Sequence, residues 1–172
     1  MSGMFFRCFK LKEIKGINKF STDKVTNMSL MFSFCSKLEY LDLSNFDTKN
    51  VTNMPYMFIG CFRLKEILGI EKFITSKVTN MESMFQECKE LRNLNLINFD
   101  TSNVIYMSSM FECCNKLKEI KGVEKLNTDK VTDMKFMLSF CYELEYLDLS
   151  NSNTSNVTDM YGMFFQCYKL KK

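Results

Sequence analysis

The cysteines of this chain recur at a nearly constant interval, and that interval constrains the fold more than any other feature. Seven of the eight are separated alternately by 27 and 26 residues, namely Cys8, Cys35, Cys61, Cys88, Cys114, Cys141 and Cys167. A fixed period of this length is the signature of an array in which one supersecondary unit stacks on the next. We therefore interpret the 172 residues as about six repeats of one unit.

Other residue types keep the same phase. All fourteen methionines form Met-x-x-Met pairs, and each pair is followed by Phe except where Leu138 takes its place. Upstream, a Val lies three residues before the Met pair and a Thr three residues before that Val, as Thr48, Val51 and Met54 illustrate. Each coil thus carries one fixed set of apolar positions, which predicts a continuous core formed by stacking.

The alternating spacing defines a 53-residue unit made of one shorter and one longer coil. The extra residue of the longer coil lies near a glycine that recurs at one phase, as Gly16, Gly69 and Gly122. Glycine beside an inserted residue is typical of a bulge, because it adopts backbone angles that other residues avoid. We expect a locally turned strand at these positions.

Each coil has a half that predicts a strand. Residues 38–43 have the Leu-x-x-Leu-x-Leu spacing of a leucine-rich repeat, and their alternating apolar residues are typical of a strand with one buried face. The same phase predicts strands near 38–43, 91–96 and 144–149, and shorter or bulged strands near 11–17, 64–70 and 117–123.

The other half of each coil has the spacing of a short helix. In one coil the apolar residues fall at steps of 3, 3, 1 and 3, namely Val51, Met54, Met57, Phe58 and Cys61, with Pro55 in the first turn. Helices are predicted near 27–35, 53–61, 80–88, 106–114, 133–141 and 159–167.

These elements together predict the fold class. We expect an α/β solenoid, a leucine-rich-repeat-like right-handed array of about six 26/27-residue strand–helix coils, with a parallel sheet on the concave face. Residues 1–172 would form a single array. The chain begins and stops inside a coil and shows no polar cap, so we interpret it as a fragment lacking both caps, with continuation of the array at both ends.

Composition excludes several functional classes. The 23 basic and 20 acidic residues leave a net charge of only +3, which predicts no nucleic-acid partner. No apolar run reaches the length of about 18 residues needed for a membrane span. The absence of histidine excludes any site that needs a histidine base, ligand or pH switch.

The cysteine ladder has three interpretations, namely core packing, disulfides and metal binding. Core packing is favoured, because the ladder lies at the end of the apolar stripe, its members are a full coil apart and no C-x-x-C motif is present. Cys113 is the exception, since adjacent residues of one helix cannot both face inward. We expect Cys113 to be the more exposed thiol and the first to be modified.

No catalytic constellation is visible. An enzyme site normally breaks the symmetry of a repeat, and the breaks here are Pro55, Ile105, Tyr106, Cys113, Leu138 and Ser152. They form no set of nucleophile, base and orienting group. We expect no catalytic residues, no cofactor and no metal.

The outward positions of the strands are the better functional candidates. They form the row Tyr40, Asp42, Glu66, Leu68, Asn93, Asn95, Glu119, Lys121, Tyr146 and Asp148. A solvated surface is the simplest interpretation of this row. The functional interpretation is a protein-binding strip on the concave face, with the two tyrosines as its anchors because Tyr is enriched at hot spots.

The repeat also resembles a known family. Residues 41–54, followed by Met57, Phe58 and Cys61, resemble the BspA-like leucine-rich-repeat surface proteins, which include the mycoplasma-type repeat domain of unknown function; residues 147–164 carry the same pattern. The resemblance implies a solenoid at the cell surface or outside the cell, used for adhesion or host-protein recognition, with a protein ligand of unknown identity. No signal segment is visible, so an intracellular protein–protein interaction scaffold in the cytoplasm is the alternative.

Overall fold

The structure is a computed structural model that describes residues 1–171. Its regular elements are the strands β1 (Tyr40–Asp42), β2 (Glu66–Leu68), β3 (Asn93–Asn95) and β4 (Glu119–Lys121), and 3-10 helices at Ile17–Lys19, Ile70–Lys72 and Val123–Lys125. The chain order alternates these elements with long runs of turns.

The strands pair in parallel between successive coils. β1 pairs with β2 and β3 with β4, so that Leu41 lies opposite Ile67 and Leu94 opposite Ile120. These four side chains are buried while their strand neighbours face outward. The strands predicted near 38–43, 64–70, 91–96 and 117–123 are thus present, although each is only three residues long.

The strands predicted near 11–17 and 144–149 are not formed. Both lie where the structure gives them no strand partner. Residues 11–17 belong to a longer coil and adjoin β1 of the shorter coil that follows. Among residues 1–171 no strand pair forms at this kind of junction, since β2 of the next longer coil is also unpaired with β3. For 144–149, the described residues supply one backbone bond to another coil, from the Lys171 N–H to the Glu145 carbonyl at 3.1 Å. A strand requires a run of backbone hydrogen bonds to a neighbouring coil, and neither segment has such a run in the part of the chain that the structure describes.

The recurring glycines turn the chain after the strands of the longer coils. Gly69 and Gly122 have φ of 84° and 85°, in the left-handed region, and each precedes a 3-10 helix. A Cβ built on Gly122 would lie 2.6 Å from the Cα of Ile97 in the preceding coil. The extra residue therefore needs a glycine both for its backbone angle and for the close approach of two coils.

The segments predicted as helices are successions of β-turns, and within residues 1–171 the structure has no α-helix. In one coil, the N–H of Met31 bonds to the carbonyl of Met28 at 3.3 Å, and that of Cys35 to Phe32 at 3.0 Å. Left-handed φ values recur at two fixed positions of each coil, here Leu30 at 59°. The helix predictions are wrong because a β-turn also brings residues i and i+3 together.

The stacking of coils explains why turns replace helices. The N–H of Leu30 donates to the Pro55 carbonyl of the next coil at 3.1 Å, and that of Phe32 to Met57 at 2.9 Å. An α-helix would use these donors within its own coil. The helix is also about 10–12 Å wide, whereas the stacked phenylalanine rings of neighbouring coils are 5.4–5.8 Å apart.

The helical half of the predicted fold is therefore not found in the described part of the chain. Parallel strand pairing and coil-on-coil hydrogen bonding are present. The broader assignment, a right-handed leucine-rich-repeat-like solenoid with its sheet on a concave face, stays a prediction.

Buried polar side chains join the coils beside the apolar core. The Thr75 hydroxyl donates to the Asp100 carbonyl at 2.9 Å and accepts the Asp100 N–H at 2.8 Å. Thr22, Thr48 and Thr128 make the same two bonds to the following coil. Each Thr hydroxyl thus satisfies a backbone N–H and a backbone carbonyl of the next coil, because it uses both its donor and an acceptor site.

Candidate binding surface on the strand row

Eight of the ten predicted site residues lie on the outward side of the strands, and the other two lie at the same phase of the next coil. We call them the strand row: Tyr40, Asp42, Glu66, Leu68, Asn93, Asn95, Glu119, Lys121, Tyr146 and Asp148. Tyr40 is 57% exposed, Leu68 50% and Tyr146 71%. Asp42, Asn95 and Asp148 are half-buried. The row therefore presents three large apolar or aromatic side chains among polar ones.

Strand pairing fixes which members of the row are neighbours. Tyr40 lies opposite Glu66, and Asp42 lies opposite Leu68. Leu68 also lines two depressions of about 160 and 240 Å³, which place it beside Tyr40 on one side and beside Asn93 on the other. The row from β1 to β3 is thus one continuous surface.

The remaining members are less closely grouped. β3 and β4 bring Asn93 opposite Glu119 and Asn95 opposite Lys121. Tyr146 and Asp148 belong to the next coil, which forms no strand in the described residues, and they line neither depression.

Local hydrogen bonds hold the two aspartates of the row in their charged form. The hydroxyl and the N–H of Ser44 donate to Asp42 and hold the pKa of that carboxyl below its usual value. The N–H of Ser150 acts in the same way and lowers the pKa of Asp148. Both residues therefore present fixed negative charges with defined orientation.

A lysine supports the tyrosine at the start of the row. The Lys65 Nζ lies 5.5 Å from the centre of the Tyr40 ring and 2.6 Å from a Glu39 carboxylate oxygen. A cation over a tyrosine face is attracted by the ring, at about 0.5–1 kcal/mol for an exposed site. The Tyr40 ring is thereby oriented although it is exposed.

Five members of the cysteine ladder lie in the core, as predicted. Cys35, Cys61, Cys88, Cys114 and Cys141 are free and buried. Each thiol points at the carbonyl of the residue that follows the Met pair one coil earlier, as at 3.1 Å from the Cys61 Sγ to the Phe32 oxygen. Burial raises the pKa of Cys35 to about 12. Such thiols are poor nucleophiles and pack as small apolar side chains.

Three cysteines are not fully buried, namely Cys8, Cys113 and Cys167. Cys113 is half-buried, which confirms that it is more accessible than Cys114, and burial raises its pKa to about 11. Cys8 is exposed, because no preceding coil among residues 1–171 covers it. The prediction that Cys113 is modified first is therefore wrong, since the Cys8 thiol is more accessible than that of Cys113.

One site was missed by the sequence reasoning. An apolar cavity of about 210 Å³ lies between the last two coils, lined by Leu126, Met134 and Met160 among others. Ser152 borders it at the phase where Phe46 occurs in an earlier coil. The missing ring leaves the space, and the signal was the break of the repeat at Ser152.

The comparisons with known proteins place the chain in a family. Residues 1–119 and 91–172 match the family model described as "Mycoplasma protein of unknown function, DUF285". The chain belongs to this family. Its two matched stretches overlap and together span the sequence, in keeping with the repeat. Neither the curated proteins nor the solved structures gave a match. Over residues 1–171 no helix has both the length and the apolar character to cross a membrane.

Proposed function

We propose that this DUF285 protein is a non-enzymatic protein-binding repeat module whose strand row contacts the ligand. The observation that carries the proposal is the pair Tyr40 and Leu68, which are 57% and 50% exposed on two paired strands. The resemblance to BspA-like surface proteins supports cell-surface adhesion or host-protein recognition as the task.

The position of these side chains favours binding over solvation alone. Tyr40 and Leu68 lie on backbone that is hydrogen-bonded between coils, so a ligand would order few further degrees of freedom. Charged neighbours such as Asp42 and Glu66 surround them. An apolar centre with a polar rim is the usual anatomy of a protein interface.

A second candidate is an intracellular interaction scaffold. The free cysteines favour it, because eight unpaired thiols persist more easily in a reducing compartment than in an oxidising one. Free-thiol counting on protein isolated from its native location distinguishes the two. Eight free thiols support the intracellular scaffold, and an oxidised or capped Cys8 supports the surface assignment.

The binding proposal is tested with Tyr40→Ala, Leu68→Asp and the matched control Tyr106→Ala. Tyr106 is 46% exposed but lies in the other half of its coil, where its backbone forms parallel bridges to Asn80 and Asp133. The wild type is first screened against purified extracellular-matrix and plasma proteins. Against a protein that it binds, each strand-row variant should lose about 1–2 kcal/mol of affinity, as hot-spot residues do. Circular dichroism checks that all three variants fold.

The control decides the location of the interface. Loss of binding in Tyr106→Ala with retention in both strand-row variants would assign the interface to the turn segments and contradict the proposal. A wild type that binds none of the screened proteins would reject surface recognition and leave the scaffold.

A further inference from the structure

A row of cations follows the cysteine ladder on the edge of the stack. After each of the five buried ladder cysteines comes a four-residue segment whose third residue is a buried leucine and whose other positions are half-buried or exposed. In four consecutive coils, at 36–39, 62–65, 89–92 and 115–118, these segments are rich in Lys and Arg. We call their cations the basic edge: Lys37, Arg63, Lys65, Lys89, Arg92, Lys116 and Lys118.

The backbone holds these segments in stacked order. The N–H of Lys65 donates to the Glu39 carbonyl at 2.9 Å, and the N–H of Lys118 donates to the Arg92 carbonyl at 2.8 Å. Hydrogen-bonded neighbours of this kind lie about 4.8 Å apart. The basic edge is therefore a row of cations roughly 15 Å long over four coils.

Most of these cations have no counter-charge. The four segments contain two carboxylates, and each is paired with one lysine, Glu39 with Lys65 at 2.6 Å and Glu90 with Lys116 at 2.8 Å. Five cations of the edge have no ion-pair partner among residues 1–171: Lys37, Arg63, Lys89, Arg92 and Lys118. An excess of five charges exceeds the +3 of the whole chain, so the basic character is concentrated here.

The next coil closes the basic edge. Its segment carries Glu143 and Glu145, which pair with Lys169 at 2.6 Å and Lys171 at 3.4 Å. These pairs neutralise the stack beyond Lys118. The positive surface therefore ends at Lys118 on this side, whereas segment 9–12 continues it on the other side with Lys10 and Lys12.

We propose that the basic edge binds a linear sulfated polysaccharide. Two open depressions of about 380 Å³ lie along it. In one, Arg63, Lys65 and Lys89 outnumber the carboxylates of Glu39 and Glu90, and in the other, Arg92, Lys116 and Lys118 outnumber that of Glu143. A linear polyanion can place sulfate groups in both depressions at once. Sulfates stay ionised at all physiological pH values and need only guanidinium and ammonium partners, which this edge supplies.

Single-stranded nucleic acid fits the edge less well. Its binding sites combine a basic groove with free aromatic faces on which bases stack. Here the Phe62 face is covered by the Lys89 ammonium at 4.9 Å, and Tyr142 is stacked on Tyr168 at 5.6 Å. The described residues of this edge thus offer charge without an open stacking platform.

The test measures binding of the full chain to immobilised heparin in about 150 mM salt, where exposed charges are screened beyond about 8 Å. The edge variant is Arg92→Gln with Lys118→Gln, two exposed side chains without ion pairs in the described structure. The control is Lys77→Gln with Lys130→Gln, which removes the same charge from two lysines that bond to asparagines of the preceding coil. The strand row is left unchanged in both.

We expect the edge variant to bind heparin about fivefold or more weakly and the control to stay within about twofold. The slope of log affinity against log salt should fall by about one to two, by analogy with loss of phosphate contacts. The proposal is overturned if the wild type does not bind heparin, if the control loses as much affinity as the edge variant, or if desulfated heparin binds equally. Tighter binding to a single-stranded oligonucleotide or to phosphatidylserine vesicles than to heparin would also reject it.

Discussion

Substituting glycine for each of the adjacent residues Ser108 and Ser109 tests whether this segment forms turns or a helix. Ser109 has φ of 55°, whereas Ser108 is not in the left-handed region. Neither hydroxyl is hydrogen-bonded within the described residues. Glycine costs about 0.5–1 kcal/mol in conformational entropy at either position. At Ser109 it also removes a left-handed strain of about 1–2 kcal/mol.

The two substitutions should therefore shift stability in opposite directions. Ser109→Gly should stabilise the fold by about 0.5–1 kcal/mol and Ser108→Gly should destabilise it by a similar amount. At about 2–4 °C per kcal/mol for a chain of this size, the Tm values of the two variants should differ by several degrees. Thermal unfolding followed by circular dichroism measures this difference.

An α-helix at 106–114 gives a different result. Both residues would then have helical angles, and glycine would destabilise both to a similar degree. Equal loss of Tm in the two variants would refute the turn assignment and restore the helix predicted from the spacing.

Three further outcomes follow from the same contacts. Gly122→Ala should destabilise the fold by about 2–4 kcal/mol, since it adds a backbone clash to the left-handed penalty, whereas Gly16→Ala should cost only about 1–2 kcal/mol, because nothing lies within 4 Å of its added Cβ. Equal losses of stability in chemical denaturation would disprove the clash. Thr75→Val should destabilise the fold by about 1–3 kcal/mol by leaving a buried N–H and carbonyl of the next coil without their partner, whereas Thr75→Ser keeps the hydroxyl and should cost less. A larger loss of stability for Thr75→Ser would show that packing of the methyl group, and not the hydrogen bonds, stabilises this position. Maleimide labelling near pH 7, followed by mass spectrometry, should modify Cys8 first and Cys113 more slowly. The Cys113 rate should rise as the pH approaches 11, since burial disfavours its thiolate, and equal rates for the two thiols would contradict their difference in burial.

The sequence by itself determined the period, the phase and the identity of the core. The ladder cysteines from Cys35 to Cys141 and the Met-x-x-Met pairs between them are buried as their periodicity required. The outward strand positions could be assigned from alternation alone, because successive residues of a strand face opposite sides. The glycine turn was also visible, since Gly69 and Gly122 each accompany the extra residue of the longer coil.

Charge was the property that the sequence described poorly. A net charge of +3 averages over the chain, whereas Arg63, Lys89 and Arg92 are brought onto one edge by a stack that places residues 26 or 27 apart side by side. The repeat phase encodes this grouping of cations, but the net charge of the edge depends on which carboxylates, such as Glu143, occupy the same phase in neighbouring coils.

Only the tertiary structure decided between helix and turns. The apolar steps of 3, 1 and 3 from Met28 to Cys35 fit both, because each conformation brings residues three apart onto one side. The choice depends on the neighbouring coils, which accept the hydrogen bonds of alternate N–H groups and lie within a ring spacing of about 5.5 Å, less than the width of a helix. That spacing is a property of the stack and has no counterpart in a single coil.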